Sequence, residues 1–236
     1  MRKDHRPYGV HRFQKRLEAW LVSHFLKPQL DECGTGLEII GARWVSFSGP
    51  QIRLGQHVHM MALRDAPIRL AVFEGMGEIS VGDHVLMNPG VRIVSAESIT
   101  IGKDCMLAMH CHLSDADWHD VDHRIFAPGK TRAINIGDNV WLGDGVRVLK
   151  GVTIGDNTIV GAGSVVTKSL PDDVIAGGNP AVVIGELGVA DRSTRGALFN
   201  MDQPYDDFAE AFMRSRLEGN RWSGWLKSLL KPGPRD

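Results

Sequence analysis

Residues 136–167 read IGDNVWLGDGVRVLKGVTIGDNTIVGAGSVVT, and an aliphatic residue returns there every sixth position: Ile136, Leu142, Val148, Ile154, Val160 and Val166. Further toward the N-terminus the same step links Val81, Met87 and Ile93, and then Ile101, Leu107 and Leu113. Neither a helix nor a plain strand repeats at six. Gly or Ala follows the aliphatic in most units, and a small residue or Val usually sits four places on, as at Val85, Cys105, Val140, Thr158 and Ser164. Three units make one coil: a short strand on each of three sides, the aliphatic pointing inward, and Gly, Asn or Asp at corners where positive φ is tolerated. Coils stack ~4.8 Å apart. Each buries its apolar residues only against its neighbours, so several are required. The fold class that follows is an all-β core, a parallel β-helix shaped as a three-sided prism, with helical additions at both ends.

The repeat breaks twice. From Ile93 to Ile101 two residues are extra, and from Leu113 to Ile136 about seventeen leave the coil as a loop. That loop, Asp115 to Ala133, holds Trp118, His119 and His123. A long excursion from a strict solenoid is where function concentrates.

A chain of 236 residues accommodates one sizeable domain with terminal additions. Three cysteines, no apolar run of membrane-spanning length and no signal-peptide pattern at the charged start predict a reduced, cytoplasmic setting without disulfides. The net charge of −1 hides a split, because basic ends flank an acidic middle. No Walker-type loop, dinucleotide fingerprint or clustered nucleic-acid patch is present.

Residues 9–27 place Val10, Phe13, Leu17, Trp20, Leu21 and Phe25 near helical spacing before Pro28, which predicts an amphipathic helix covering the open edge of the first coil. Short β-like pieces between Gly36 and Glu78 predict irregular first coils, and the Gly/Pro-rich run Pro171 to Ala181 predicts an exit from the prism. Residues 205–231 return to helical spacing, with Trp222, Trp225, Leu226, Leu229 and Leu230 on one face and a basic polar side. This face suits a membrane interface or docking on protein. The organisation expected is a helical segment at 1–35, the β-helix at 36–187, and a linker with a C-terminal amphipathic helix at 188–236.

The motifs Asn139-Val140-Trp141-Leu142-Gly143, Gly151-Val152-Thr153-Ile154-Gly155, Gly161-Ala162-Gly163-Ser164-Val165-Val166-Thr167-Lys168 and Gly178-Asn179-Pro180-Ala181 resemble those of the hexapeptide-repeat acyltransferases, most nearly the maltose and galactoside O-acetyltransferases. The resemblance covers about residues 78–187. It implies a left-handed β-helix, an exception to the right-handed crossover rule, assembled as a homotrimer with acetyl-CoA or another acyl-CoA bound between adjacent prisms. It also implies transfer to a hydroxyl of a sugar or glycan precursor without a metal. Carried over by position, the catalytic His falls on His119 and the acceptor-binding Asn on Asn88. The donor path falls on Asp144, Trp141, Ala162, Thr167 and Lys168, with Trp141 a packing wall. Two departures stand out: the segment before His119 is one residue longer and more acidic, and Val182 and Gly185 replace basic residues near the CoA phosphate. Lys168, Arg192 and Arg195 are the cations left for that phosphate.

Acyl transfer to a hydroxyl needs a base near pH 7, which an imidazole supplies. Asp115, Asp117 and Asp122 are the acids available to orient His119. Two other classes remain open. A zinc enzyme resembling the γ-type carbonic anhydrases would draw on His110, Cys111, His112 and His119, although His110 and His112 alternate and so share a face. A prism kept only as a scaffold would use none of these groups.

Overall fold

The computed structural model describes residues 4–188, 193–199 and 205–231. The strands of the prism form the three sides of a left-handed β-helix. Side A stacks Glu32–Cys33, Ile52–Leu54, Ile79–Val81, Ile99–Ile101, Ile134–Ile136 and Thr153–Ile154. Side B stacks Glu38–Ile40, His59–Met61, Leu86–Met87, Met106–Leu107, Trp141–Leu142, Ile159–Val160 and Val174–Gly178, then Ala181–Glu186. Side C stacks Val45–Ser48, Ile68–Val72, Arg92–Ser95, His112–Ser114, Arg147–Leu149 and Val165–Val166. Every pairing is parallel except the last on side B.

The aliphatics of the repeat are 0–3% exposed and lie in columns, for example Val81, Ile101, Ile136 and Ile154 on side A. Burying each fully is worth about 1.5–3 kcal/mol, and a slip of one residue would turn a whole strand's set outward. Cys33, Ile39 and Phe47, then Leu54, Met60 and Leu70, occupy the same columns two coils earlier. Their spacing is irregular because corners are enlarged, by a turn at Ala42–Trp44 and by one in which Leu63 and Ala66 exchange backbone hydrogen bonds.

The corner between sides A and B holds Asn139, Asn157 and Asp173 at φ 54°, 59° and 58°. Asn139 Nδ2 donates to Asn157 Oδ1 and Asn157 Nδ2 to Asp173 Oδ1, both at 3.0 Å, so short polar side chains that tolerate this backbone also stitch coil to coil.

Two expectations about the ends of the prism need correction. The Gly/Pro-rich exit does not leave at once: Val174–Gly178 adds a further strand to side B, with Ala176 in register with Val160, before Ala181–Glu186 folds back antiparallel. Hydrophobic continuity at Val174 and Ala176 outweighs the local breakers. At the other end the helical run extends as far as expected but changes type, from α1 (Tyr8–Leu21) to a π-helical turn at Val22–Leu26 and a 3-10 turn at Lys27–Gln29, and it is the later part that meets the prism. These turns bury Val22 and Leu26 in the core beside Ile39, Ala42 and Val45, so this short stretch fills the apolar opening. Phe13, Leu17 and Trp20 of α1 remain 40–67% exposed.

Leu21–Gly196 forms one compact unit, and the flanking residues form a second. In the second, the single helix expected over 205–231 is two, α2 (Tyr205–Arg216) and α3 (Trp222–Leu230), separated by a turn with Gly219 at φ 79°. Tyr8 Oη donates to Glu210 (2.6 Å), and Asn220 Nδ2 donates to the carbonyls of Asp4 and Arg6 (2.7 and 2.9 Å).

Candidate active site

The loop containing His119 leaves the corner between sides C and A immediately after Ser114. Its root is firmly held. The Asp115 carboxylate is fully buried and accepts hydrogen bonds from Ser95 Oγ (2.7 Å) and from the backbone N–H of Ala96 (2.7 Å) and Glu97 (2.9 Å). The two arms of the loop then pair, Arg132 N–H donating to the Asp115 carbonyl and Asp117 N–H to that of Lys130, both at 2.9 Å. Lys150 Nζ reaches the Asp117 carboxylate at 2.5 Å. Trp118 lies against Phe73 with ring centroids 5.6 Å apart, and its Nε1 donates to Ser114 Oγ (3.1 Å).

His119 follows this anchored stretch and is exposed. Beyond it, Asp120 Oδ1 accepts from the N–H groups of His123 and Asp122, which hold its carboxyl below the usual range. The tip presents Val121, Ile125 and Phe126 to solvent. The acids expected to orient His119 do not do so in this chain. Asp115 and Asp117 are committed to the loop root, and among the described residues no hydrogen bond or ion pair joins Asp122 to the imidazole.

The corner between sides B and C gathers a second group. Asn88, Asp144 and Ala162 occupy it in different coils, with Met109 and His110 in the coil between Asn88 and Asp144. Asn88 Nδ2 donates to the Leu107 carbonyl (3.2 Å), leaving Oδ1 available. Asp144 Oδ1 accepts from Met109 N–H (3.0 Å), and the Asp144 carbonyl accepts from Gly163 N–H (2.7 Å). Gly145 and Gly163 sit at φ 70° and 72° beside open space. Trp141, 46% exposed, stands on side B just before this corner.

The predicted site residues therefore divide. Asn88, Asp144 and Ala162, with Trp141 alongside, line corner BC, whereas Thr167, Lys168 and the loop bearing His119 lie at corner CA, across side C. Among the described residues no hydrogen bond or ion pair links the two groups. His110, named from the sequence only as a possible zinc ligand, stands at corner BC beside the group of Asn88 and Asp144. It takes φ 59° where other coils have Gly90, Gly145 and Gly163, and its ring lies over Gly90. Aligning the repeats against those glycines would have exposed it. The expectation that His110 and His112 share a face is corrected too: His110 occupies the corner, and His112 begins the strand on side C.

Burial pushes the Cys105 and Cys111 thiols up to about 12, so neither is a thiolate nucleophile at neutral pH. Among the described residues no group of three His, Cys, Asp or Glu is placed to hold a metal ion. On the exit hairpin Val182 is exposed, and Arg195 Nε donates to the His84 carbonyl (2.8 Å) at corner AB. Arg192 lies outside the described residues.

Residues 133–168 match a family model described as bacterial transferase hexapeptide (six repeats). Over 171 residues the chain is 30% identical to a galactoside O-acetyltransferase of Lactococcus lactis, covering 72% of this chain and 69% of that protein. Over 116 residues it is 40% identical to the galactoside O-acetyltransferase of Escherichia coli, covering 48% and 57%. A crystal structure of a hexapeptide-repeat acetyltransferase of Vibrio cholerae complexed with acetyl-CoA superposes with a TM-score of 0.50 at 22% identity, over 76% of this chain and 88% of that one, a likeness of fold. The chain spans about three fifths of the length of several curated relatives it matches.

Proposed function

The chain belongs to the hexapeptide-repeat acyltransferases, and from that premise we propose that it transfers an acetyl group from acetyl-CoA to a hydroxyl of a sugar or glycan precursor. The observation that carries the reading is the anchored loop, which holds an exposed imidazole next to a rigid root. His119 takes the proton of the acceptor hydroxyl as its oxygen attacks the thioester carbonyl. The tetrahedral intermediate then expels the CoA thiolate, the proton passes from the imidazolium to sulfur, and an ester and free CoA remain. Asn88 Oδ1 is free to accept a hydrogen bond from an acceptor hydroxyl, because its Nδ2 is already engaged. Asp144, Trp141, Ala162, Thr167 and Lys168 line the donor's path, and no metal takes part in the step.

Two corners hold the site, and two copies complete it. In a homotrimer, corner CA of one prism meets corner BC of the next, so that His119 of one copy serves Asn88 of its neighbour. The apolar loop tip, Val121, Ile125 and Phe126, is a surface that such a contact would cover. Peripheral membrane contact through α3 belongs to the same reading: Trp222, Leu226, Leu229 and Leu230 are 49–80% exposed, with Arg221, Lys227 and Lys231 beside them. Among the described residues no helix is long and apolar enough to cross a membrane. A reduced, cytoplasmic setting is consistent with the three free cysteines.

The deciding experiment is free-thiol release from acetyl-CoA across a panel of saccharides. Saturable release with a saccharide is the expected result. Release no faster than hydrolysis with every member of the panel would sink the reading.

A further inference from the structure

Side C is bounded by corners BC and CA, the two corners that meet neighbouring copies in the homotrimer. All three copies therefore turn this side toward the three-fold axis, where like faces like. What side C presents there is basic. Its outward column runs Arg69, Arg92, His112 and Arg147 on consecutive rungs, and none of its six strands contains an Asp or a Glu. A neighbouring copy brings no carboxylate on this side, because it brings the same strands. The nearest acids stand at the corners, Asp65 and Asp144 at BC and Glu74 and Glu97 at CA, and among the described residues none of them forms an ion pair with the column. By contrast the arginine of side A, Arg53, is paired within the chain, with Glu78 (3.0 Å) and Glu32 (3.6 Å). Assembly thus gathers three exposed arginines from each of three copies around one line without a built-in counter-charge. Like charges brought together repel, and an anion between them removes that cost.

His112 supplies an independent observation. Its ring lies on the rung between Arg92 and Arg147, and its Nε2 is buried without a hydrogen-bond partner. It is the one member of the column that is not a fixed cation. Burial, and then the charges of Arg92 and Arg147, disfavour its protonation, and an anion beside those arginines would offset the second effect.

We propose that the trimer axis holds a tetrahedral oxyanion of the phosphate class, seated between the rungs of Arg92 and Arg147 and shared by all three copies. Symmetry fits as well as charge. A phosphate with one oxygen on the axis turns its other three oxygens to the three copies alike, and each meets a guanidinium through charge-assisted hydrogen bonds. A planar carboxylate has no such three-fold arrangement. The assignment rests on the homotrimer of the transferase reading and adds to it a ligand that is neither donor nor acceptor. Because His119 and Asn88 of one site come from different copies in that assembly, an anion that holds the copies together also holds the site together. The phosphates of the donor share this chemistry, and stoichiometry separates the two sources: one anion per three chains on the axis, one per chain along corner BC.

Full-length protein freed of phosphate and sulfate is sized by sedimentation and titrated with inorganic phosphate by calorimetry at fixed ionic strength. The expected result is a trimer that binds one phosphate per three chains, with a saturable rise in melting temperature that acetate does not give. Arg92→Gln and Arg147→Gln should each weaken phosphate binding at least about tenfold. Each should also raise the melting temperature in chloride alone, because three like charges leave the axis. Arg53→Gln, the control on side A, leaves phosphate binding unchanged. A trimer without saturable phosphate binding overturns the proposal. So does binding of one phosphate per chain, which gives the anion to the donor path, and so does binding that both arginine variants retain. A chain that does not sediment as a trimer, with or without phosphate, removes the axis itself; it is then the homotrimer that fails, whether or not saccharides release thiol from acetyl-CoA.

Discussion

Asp115, four residues before His119, sets the direction in which the loop bearing His119 departs, because three donors of corner CA converge on its carboxylate. Its replacement by Ala leaves those donors unpaired at about 1–3 kcal/mol each. Asp115→Ala is therefore expected to lower the urea midpoint and to depress kcat although His119 is intact. His119→Ala should behave oppositely. The side chain is exposed, so thermal melting and assembly size stay as in wild type while turnover falls at least about 10²-fold; activity within fivefold of wild type would remove His119 from the mechanism. A third expectation concerns pH. Burial, and then the charges of Arg92 and Arg147, hold the His112 imidazole below its ordinary value. The unfolded chain thus binds a proton that the folded chain resists, and His112 lowers stability as pH falls through about 6.5. Arg92→Gln should lessen that acid loss, seen as a shallower fall of melting temperature between pH 7 and pH 5; an unchanged slope would show the arginine field to be unimportant. At this scale the sequence placed His119 on an excursion from the coil and Asn88 in a coil, which is where the structure has them. It hid the corner position of His110 and the division across two corners, since both depend on which corner each unit turns.

Elements were legible where one periodicity ran unbroken. α1 and the C-terminal helices follow helical spacing, yet the break at Gly219 was missed because the apolar residues on either side of it keep nearly the same phase. α3 has no buried residue in this chain. Removing the chain from residue 222 onward is therefore expected to leave the melting temperature of the prism nearly unchanged and to abolish co-sedimentation with anionic vesicles. A large fall in melting temperature, with vesicle binding retained, would instead make α3 a structural cap.

For the whole molecule, twelve aliphatics in strict register were enough to specify the prism. The first two coils were read only as irregular, because insertions at their corners shift the count without disturbing the columns. The exit strand Val174–Gly178 was masked by the glycines and prolines around it. That exit hairpin bears on the donor. Ala181–Glu186 carries no cation, and Arg195 is engaged at corner AB. Acetyl-CoA and acetyl-dephospho-CoA should accordingly give nearly equal kcat and similar KM; a KM more than tenfold higher without the 3′-phosphate would show that a basic residue reaches it.

Asn88 and Ala162 occupy one corner of the prism three coils apart, a separation of about 14 Å at the usual strand spacing. Every coil advances the stack by the same increment, so this edge is graduated like a ruler. On the transferase reading proposed above, a thioester donor lying along it would have its length gauged by a number of rungs rather than by the depth of a pocket. One coil grafted between Asp144 and Ala162 would move the far mark by a single division, about 4.8 Å, without altering any residue at either mark. Acyl-chain preference would then change in discrete steps.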